Sequence, residues 1–261
     1  MWILGGDILD ILYDIDELKI YRGADIDIND YIHVSQPTIG EICDDCGEQN
    51  YFNTVHTICS VGADLKWQLN ELGIDYTKIG DYELFYSILS HSLSKEKTKI
   101  LFGDTLDFSK MKAMLNQNTQ QVVMVQQLED GNFIQIDKLA YSRIVSVLRK
   151  MHKIKRNDEI PGNEFTKQIL IEDAREEYEL NKNKPYKSFL LPLISTMVNS
   201  PGFKQDNKSV FDMGIYAFMD SIGRIPKIKR ADMLLTSGYS GFGVDLKKID
   251  KDELNMFAEP D

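Results

Sequence analysis

Apolar residues recur along most of this chain at the three- and four-residue spacing of amphipathic helices, broken by two β-prone stretches. In the first, Leu18, Ile20 and Tyr21 precede the turn residues Arg22, Gly23, Ala24 and Asp25, and Ile26, Ile28, Ile32 and Val34 then alternate with polar positions. Period two around a glycine predicts a β-hairpin over residues 18–34, with 18–21 as its first strand. In the second, the β-prone runs 122–125 and 133–136 flank Glu129-Asp130-Gly131-Asn132. Asp-Gly suits the positive φ angles of a tight hairpin turn, so a second hairpin is predicted over residues 121–137. Residues 99–103 read as a further short strand.

The remaining pattern is helical. Pro37 and Thr38, with Glu41 three residues on, form a capping-box signature. Helices are expected over 49–61, over 64–72 with Gly73 as its stop, and over 81–93 with Asp81 as its cap. Asp137 should cap a helix to about Met151 that carries Leu139, Ile144, Val147, Leu148 and Met151 on one face. Residues 153–163 are charged, contain Pro161-Gly162 and show no periodicity, which marks a linker. It divides an α+β part, 1–152, from a helical part, 164–261; packing of the two as one body is the alternative.

Beyond the linker, residues 165–181 form an amphipathic helix whose polar face carries Glu172, Asp173, Arg175, Glu176, Glu177 and Glu179. Residues 186–198 are the longest nearly uninterrupted apolar run. A helix apolar around most of its circumference should be buried on most sides. Pro185 should start this block, Pro192 kink it, and Ser200-Pro201-Gly202 end it. Two helices, 210–222 and 227–236, are expected on either side of residues 223–226. A glycine-rich loop at 237–243 should set Tyr239 and Phe242 on the core, and Asp250 with Glu253 should cap a last helix ending near Phe257. The fold class is therefore α+β, predominantly α-helical, with two small β-hairpins.

Charge narrows the function classes. Thirty basic against 41 acidic residues give −11, which argues against a general binder of phosphate backbones. One local run, Arg143, Arg149, Lys150, His152, Lys153, Lys155 and Arg156, keeps open a nucleic-acid or regulatory binding module. Its bland counterpart is a set of cations at a helix C-terminus leading into a solvated linker. Lys227, Lys229 and Arg230 repeat the pattern on a smaller scale. The apolar run at 186–198 is shorter than the ~20 residues a bilayer requires. Residues 1–12 are interrupted by Asp7 and Asp10 and lack a basic start, so no secretion signal is read there. A soluble intracellular protein is expected.

Candidate chemistry is sparse. Cys43 and Cys46 have the spacing of half a zinc site, and His56 with Cys59 could supply the other half. The competing reading is three incidental thiols, their odd number fitting a reducing compartment. The glycine-rich loop lacks the Gly-Lys-Ser/Thr ending of a nucleotide loop. His33, His56, His91 and His152 are scattered, and each is expected at the surface or as a cap. No catalytic constellation emerges and no cofactor is called for, so a non-enzymatic protein is expected.

The segments Leu72-Gly73-Ile74-Asp75-Tyr76 and Ile79-Gly80-Asp81-Tyr82-Glu83-Leu84-Phe85, followed by Ile100-Leu101-Phe102-Gly103, resemble the small helical tail-morphogenesis proteins of tailed bacteriophages of Gram-positive bacteria, called tail assembly chaperones. The likeness extends to Lys182-Asn183-Lys184-Pro185-Tyr186-Lys187-Ser188, to Tyr216-Ala217-Phe218-Met219-Asp220-Ser221 and to Tyr239-Ser240-Gly241-Phe242-Gly243-Val244-Asp245. The resemblance implies protein–protein contacts in virion assembly, with no catalytic residues. The protein would hold tape-measure or tail-tube protein soluble in the host cytoplasm, or sit in the virion as a minor structural component. Tyr82, Phe85, Tyr86 and Phe218 would then be partner-binding aromatics, with plain core as the competing reading.

Overall fold

The computed structural model describes residues 15–240 and 243–260; the readings of residues 1–12 and of Phe242 lie outside them. The chain enters α1 (Glu17–Tyr21), where the Asp16 carboxylate accepts from the Lys19 amide at 3.0 Å. The strand expected at 18–21 is thus a helical turn. Leu18 and Ile20 would share a face in a strand; here Ile20 is buried and Leu18 is 76% exposed. The hairpin is shorter and later: β1 (Ile26–Asp27) pairs antiparallel with β2 (His33–Val34), with Ile26 opposite Val34. Asn29 builds its turn, its side-chain oxygen accepting from the amides of Tyr31 and Ile32.

The capping box forms as expected at α2 (Ile39–Glu41), with reciprocal bonds between Thr38 and Glu41. This helix runs straight into a π-turn, Ile42–Cys46, and Gly47 at φ 78° redirects the chain into α3 (Glu48–Cys59). A 3₁₀ turn, Gly62–Leu65, leads into α4 (Lys66–Glu71), which stops at Gly73 in the left-handed region. Gly62 is fixed by space: a Cβ there would lie 2.2 Å from the Tyr76 carbonyl oxygen, a backbone atom that has nowhere to go. Gly62→Ala is expected to cost about 1–3 kcal/mol in urea unfolding, the usual penalty for overpacking.

α5 (Asp81–Ser87) is shorter than expected and gives way to a 3₁₀ turn, Leu89–Ser92. Gly80 occupies its cap position, so Asp81 lies in the first turn and is free to pair elsewhere. The strand expected at 99–103 is the end of α6 (Lys95–Phe102), which buries Thr98, Leu101 and Phe102 at helical spacing. β3 (Lys112–Leu115), β4 (Val122–Gln127) and β5 (Phe133–Ile136) form an antiparallel sheet in that order. The Asp-Gly turn joins β4 to β5 as predicted, with Gln127 opposite Phe133. α7 (Lys138–His152) is capped by Asp137, which accepts from Ala140 N at 2.8 Å. Ile144, Val147, Leu148 and Met151 are buried, but Leu139 is exposed, one position off the stripe that begins at Ala140.

Residues 153–163 run without regular structure, yet they are tied down. Arg156 holds Asp81 through Nε at 3.2 Å and Nη2 at 3.0 Å, Asn157 donates to Asp64 at 2.8 Å, and Glu159 meets Lys66. α8 (Glu164–Asn181) and α9 (Leu190–Val198) follow, then α10 (Ile215–Tyr239) and α11 (Lys251–Leu254). The two helices expected around residues 223–226 are one helix of 25 residues with Pro226 inside it. Gly223 admits the C-terminal segment, since a Cβ there would lie 2.7 Å from Pro260, and Arg224 donates to the Ala258 carbonyl at 2.6 Å. Tyr239 is exposed rather than on the core, and Glu253 pairs with Arg230 instead of completing the Asp250 cap. The last helix stops at Leu254, leaving Phe257 exposed.

The first and second halves of the chain share backbone bonds. Ile39 N donates to Met213 O and Ile215 N to Pro37 O, so the start of α10 is pinned beside α2. The buried cluster accordingly runs from α3, α5 and α7 into Ile215 and Phe218 of α10.

Candidate interaction site

The four aromatics singled out from the sequence do not form a surface. Phe85 and Phe218 are fully buried, Tyr82 nearly so, and Tyr86 is half-buried at their edge. Phe85 stacks on Tyr141 with centroids 4.7 Å apart, and the Tyr82 hydroxyl donates to the Ile136 carbonyl at 2.5 Å. Burial pushes the Tyr82 phenol up to about 12. These rings join α5 to α7 and the sheet, because a seven-residue helix in a sequence this aromatic buries its rings on the one face it has.

His152 is also interior, not a surface or capping residue. Its Nδ1 lies 2.7 Å from the Leu148 carbonyl, which can only accept, so Nδ1 carries the proton. Nε2 then accepts from the Tyr51 hydroxyl at 2.7 Å. Burial, first of all, drives its pKa down to about 4. Among the described residues no three His, Cys, Asp or Glu side chains gather closely enough to hold a metal. Cys59 is buried, and desolvation pushes its thiol up to about 12, away from the thiolate a zinc site needs. The Cys43 thiol is raised by partial burial and then by Glu48 and Asp44.

Most of the basic run is spent on internal contacts. Arg143 and Arg149 donate to the carbonyls of Ile28 and Cys59, and Lys150 meets Glu17 at 2.6 Å. Lys153 lies 3.8 Å from Asp220 and over the Tyr216 ring, and Arg156 clamps Asp81. A cleft of about 380 Å³ between α5 and α7 is lined by Tyr82, Tyr141, Arg149 and Arg156; the two hydroxyls, Arg149 Nη2 and the Arg156 guanidinium are committed in the same way, while Arg149 Nε is buried without a partner.

What the fold does expose is the apolar block expected to be buried. Only Leu190 and Met197 of α9 are fully buried, seven residues apart on one stripe. Leu191 is 66% exposed, and Tyr186 and Phe189 just before the helix are each 47% exposed. The block lies on the outside of the molecule, so one face meets the core and the other meets solvent. Pro192 falls in the first turn, where its missing N–H has no intrahelical partner to lose, and it causes no break. The entry is held firmly: Leu190 N donates to the Glu48 carboxylate at 2.5 Å, Leu191 N to Ser188 Oγ at 2.9 Å, and the Phe189 ring packs edge-on against Phe52 at 4.9 Å. Tyr186, Phe189 and Leu191 thus leave apolar surface exposed around the held entry of α9, a small shelf at this end of the helix. α8, beside it in sequence, buries only Ile171, with Tyr178 packed against Trp67 of α4.

The hydrophobicity of residues 186–198 was the available signal for this shelf; its orientation was not legible. No protein-family model, curated protein or solved structure matches the chain, so the site is read from its own geometry.

Proposed function

We propose that this protein acts without catalysis, by binding another protein through the apolar shelf at the start of α9. The process is phage tail assembly, and the bound protein is the tape-measure or tail-tube protein, kept soluble in the host cytoplasm. The observation that carries the binding role is the shelf itself. Apolar side chains held on a bonded support and open to solvent suit a partner helix laid along them. The phage setting rests on the short motifs in residues 72–85, 100–103, 182–188 and 216–221. The buried rings of Tyr82, Phe85 and Phe218 support the fold on which the shelf stands. Retention in the virion as a minor component is the second form of the same role. A nucleic-acid role for the Arg143–Arg156 run is disfavoured by its internal pairing. Among the described residues no helix is long and apolar enough to cross a membrane.

Leu191→Glu tests the reading. Leu191 is exposed, so unfolding free energy should stay within about 0.5 kcal/mol of the parent. Pull-down from phage-infected cells with the parent chain should recover tape-measure or tail-tube protein, and the variant should lose most of it. Equal recovery by the two chains would remove α9 from the interface. Recovery of neither tail protein would sink the tail-assembly role. Absence of the chain from purified virions marks a chaperone; fixed stoichiometry there marks a structural component.

A further inference from the structure

The three-stranded sheet has one closed edge and one open edge. On the closed side, β5 lies against the β1–β2 turn, where the Asn29 side-chain amide donates to the Gln135 carbonyl at 3.5 Å. On the open side, residues 112–115 of β3 make backbone bonds to β4 alone among the described residues. Register decides which groups stay open. Asn116 N donates to Gln121 O at 2.8 Å, and Leu115 lies opposite Val122, Met114 opposite Val123 and Ala113 opposite Met124. Bonded and non-bonded pairs alternate along an antiparallel ladder. Met114 therefore bonds inward, and Ala113 and Leu115 turn their N–H and C=O groups out to solvent.

Side chains along the edge set what can be added to it. Met114 and Leu115 are 57% and 59% exposed. Lys112 and Met114 share the outer face of the sheet with Val125 and Phe133, while Met124, Ile134 and Ile136 are buried on the inner face. Natural edges are blunted by proline, by bulges or by charge. β3 has no proline and pairs with β4 in unbroken register, so charge is what guards it. Between Phe108 and Leu128 the charged residues are Lys110 and Lys112, both positive in a chain of −11. Lys110 lies 3.8 Å from Asp107, and Lys112 has no ion-pair partner among the described residues.

We propose that β3 is a docking edge for an extended acidic segment of a partner protein, added to the sheet as an antiparallel fourth strand. Its backbone bonds Ala113 and Leu115, the mode in which main-chain groups give affinity and alternate side chains give specificity. Directly opposed residues share a face, so the segment presents an apolar residue to Leu115, a second to Met114, any residue to Ala113 and a carboxylate to Lys112. Read along the partner, the order is apolar, apolar, any, acidic. Charge decides between this occupant and a second copy. A second β3 would bring Lys110 and Lys112 to the edge again, with no carboxylate between residues 108 and 128 to meet them. The edge stands on its own register and does not rest on the α9 shelf.

The test uses the full chain and a labelled peptide of about ten residues with valine, isoleucine, threonine and glutamate, in that order, at its centre. Fluorescence anisotropy should show it binding at least about fivefold tighter than a twin with lysine for glutamate, the gap closing as salt rises. N-methylation of the valine and threonine amides, which face β3, should abolish binding. Methylation of the isoleucine and glutamate amides, which face away, should leave it within about twofold. Ala113→Pro removes an outward donor and spares every bond to β4, so the variant should unfold at nearly the parent's urea concentration and bind at least about tenfold more weakly. Should that variant fail to fold, the two methylated peptides decide. Lys112→Glu should reverse the preference between the peptide and its twin. Equal binding of peptide and twin overturns the acidic partner. Equal binding of the two methylated forms, or no binding at all, overturns strand addition. Loss of the peptide by folded Leu191→Glu would place it on α9 and overturn the edge, whereas unchanged binding there supports it. A dimer by sedimentation that Ala113→Pro abolishes would put a second copy on β3 and overturn the inference.

Discussion

Phe85→Ala should lower the unfolding free energy by about 3–5 kcal/mol, the range for deleting a fully buried aromatic ring. Phe85 is 1% exposed; it stacks on Tyr141 at an interplanar angle of 27° and meets Phe108 edge-on at 5.7 Å. Phe108 in turn packs edge-on against Phe102 of α6. The alanine therefore opens a cavity where α5, α6 and α7 meet, and it removes aromatic pairings worth about 0.5–1.5 kcal/mol each beyond their area. For a chain of this length the loss corresponds to a drop of roughly 6–20 °C in melting temperature. Calorimetry or urea unfolding measures it, and the comparison with Leu191→Glu gives it meaning. Phe85→Ala should lose partner binding only as far as it loses folded protein, whereas Leu191→Glu should lose binding while remaining folded. A Phe85→Ala protein of parental stability that no longer binds would put Phe85 in the interface after all.

Local chemistry was legible wherever one residue decides the backbone. Asp130-Gly131 placed the β4–β5 turn, Thr38 with Glu41 placed the start of α2, Asp137 placed the start of α7, and Gly73 placed the end of α4. Short segments failed because a few apolar residues fit either period. The Asp16 cap makes 17–21 helical, and continuity with Lys95 makes 99–102 the end of a helix. β3 left no trace because all four of its residues are exposed, so alternation had no core face to mark. Gly223 and Pro226 looked like a break, but the glycine there makes room for Pro260 and the helix continues.

The site was legible only in part. The greasy run at 186–198 was visible, but burial depends on what else covers it, and no feature within the run reports that. The four aromatics were equally ambiguous, since a ring reads the same in a core and on an interface. His152 was missed because its neighbour Tyr51 is 101 residues away, and only the α3–α7 contact brings the two together.

Acid should act on the protein through that pair. The folded state holds His152 near pKa 4, against 6.5 for an ordinary histidine, because burial disfavours the imidazolium. Between these values the unfolded chain takes up a proton that the folded chain refuses. Unfolding free energy should therefore fall as pH drops through about 6.5, and this contribution should level off below about 4; above 6.5 it is absent. The full span is about 3 kcal/mol at 1.36 kcal/mol per unit. Tyr51→Phe with His152→Leu removes both partners at once, so that no buried hydroxyl is stranded. Urea titrations between pH 7 and about 4.5 should show the parent losing stability relative to that double variant. Parallel curves would mean that His152 titrates as it does in water. The effect separates folding from binding. The His152 ring packs edge-on to Phe52, and Phe52 carries Phe189 at the start of α9. The folded chain keeps His152 neutral down to about pH 4, so the footing of the shelf is unchanged through the window in which stability falls, and partner affinity per folded molecule should hold there.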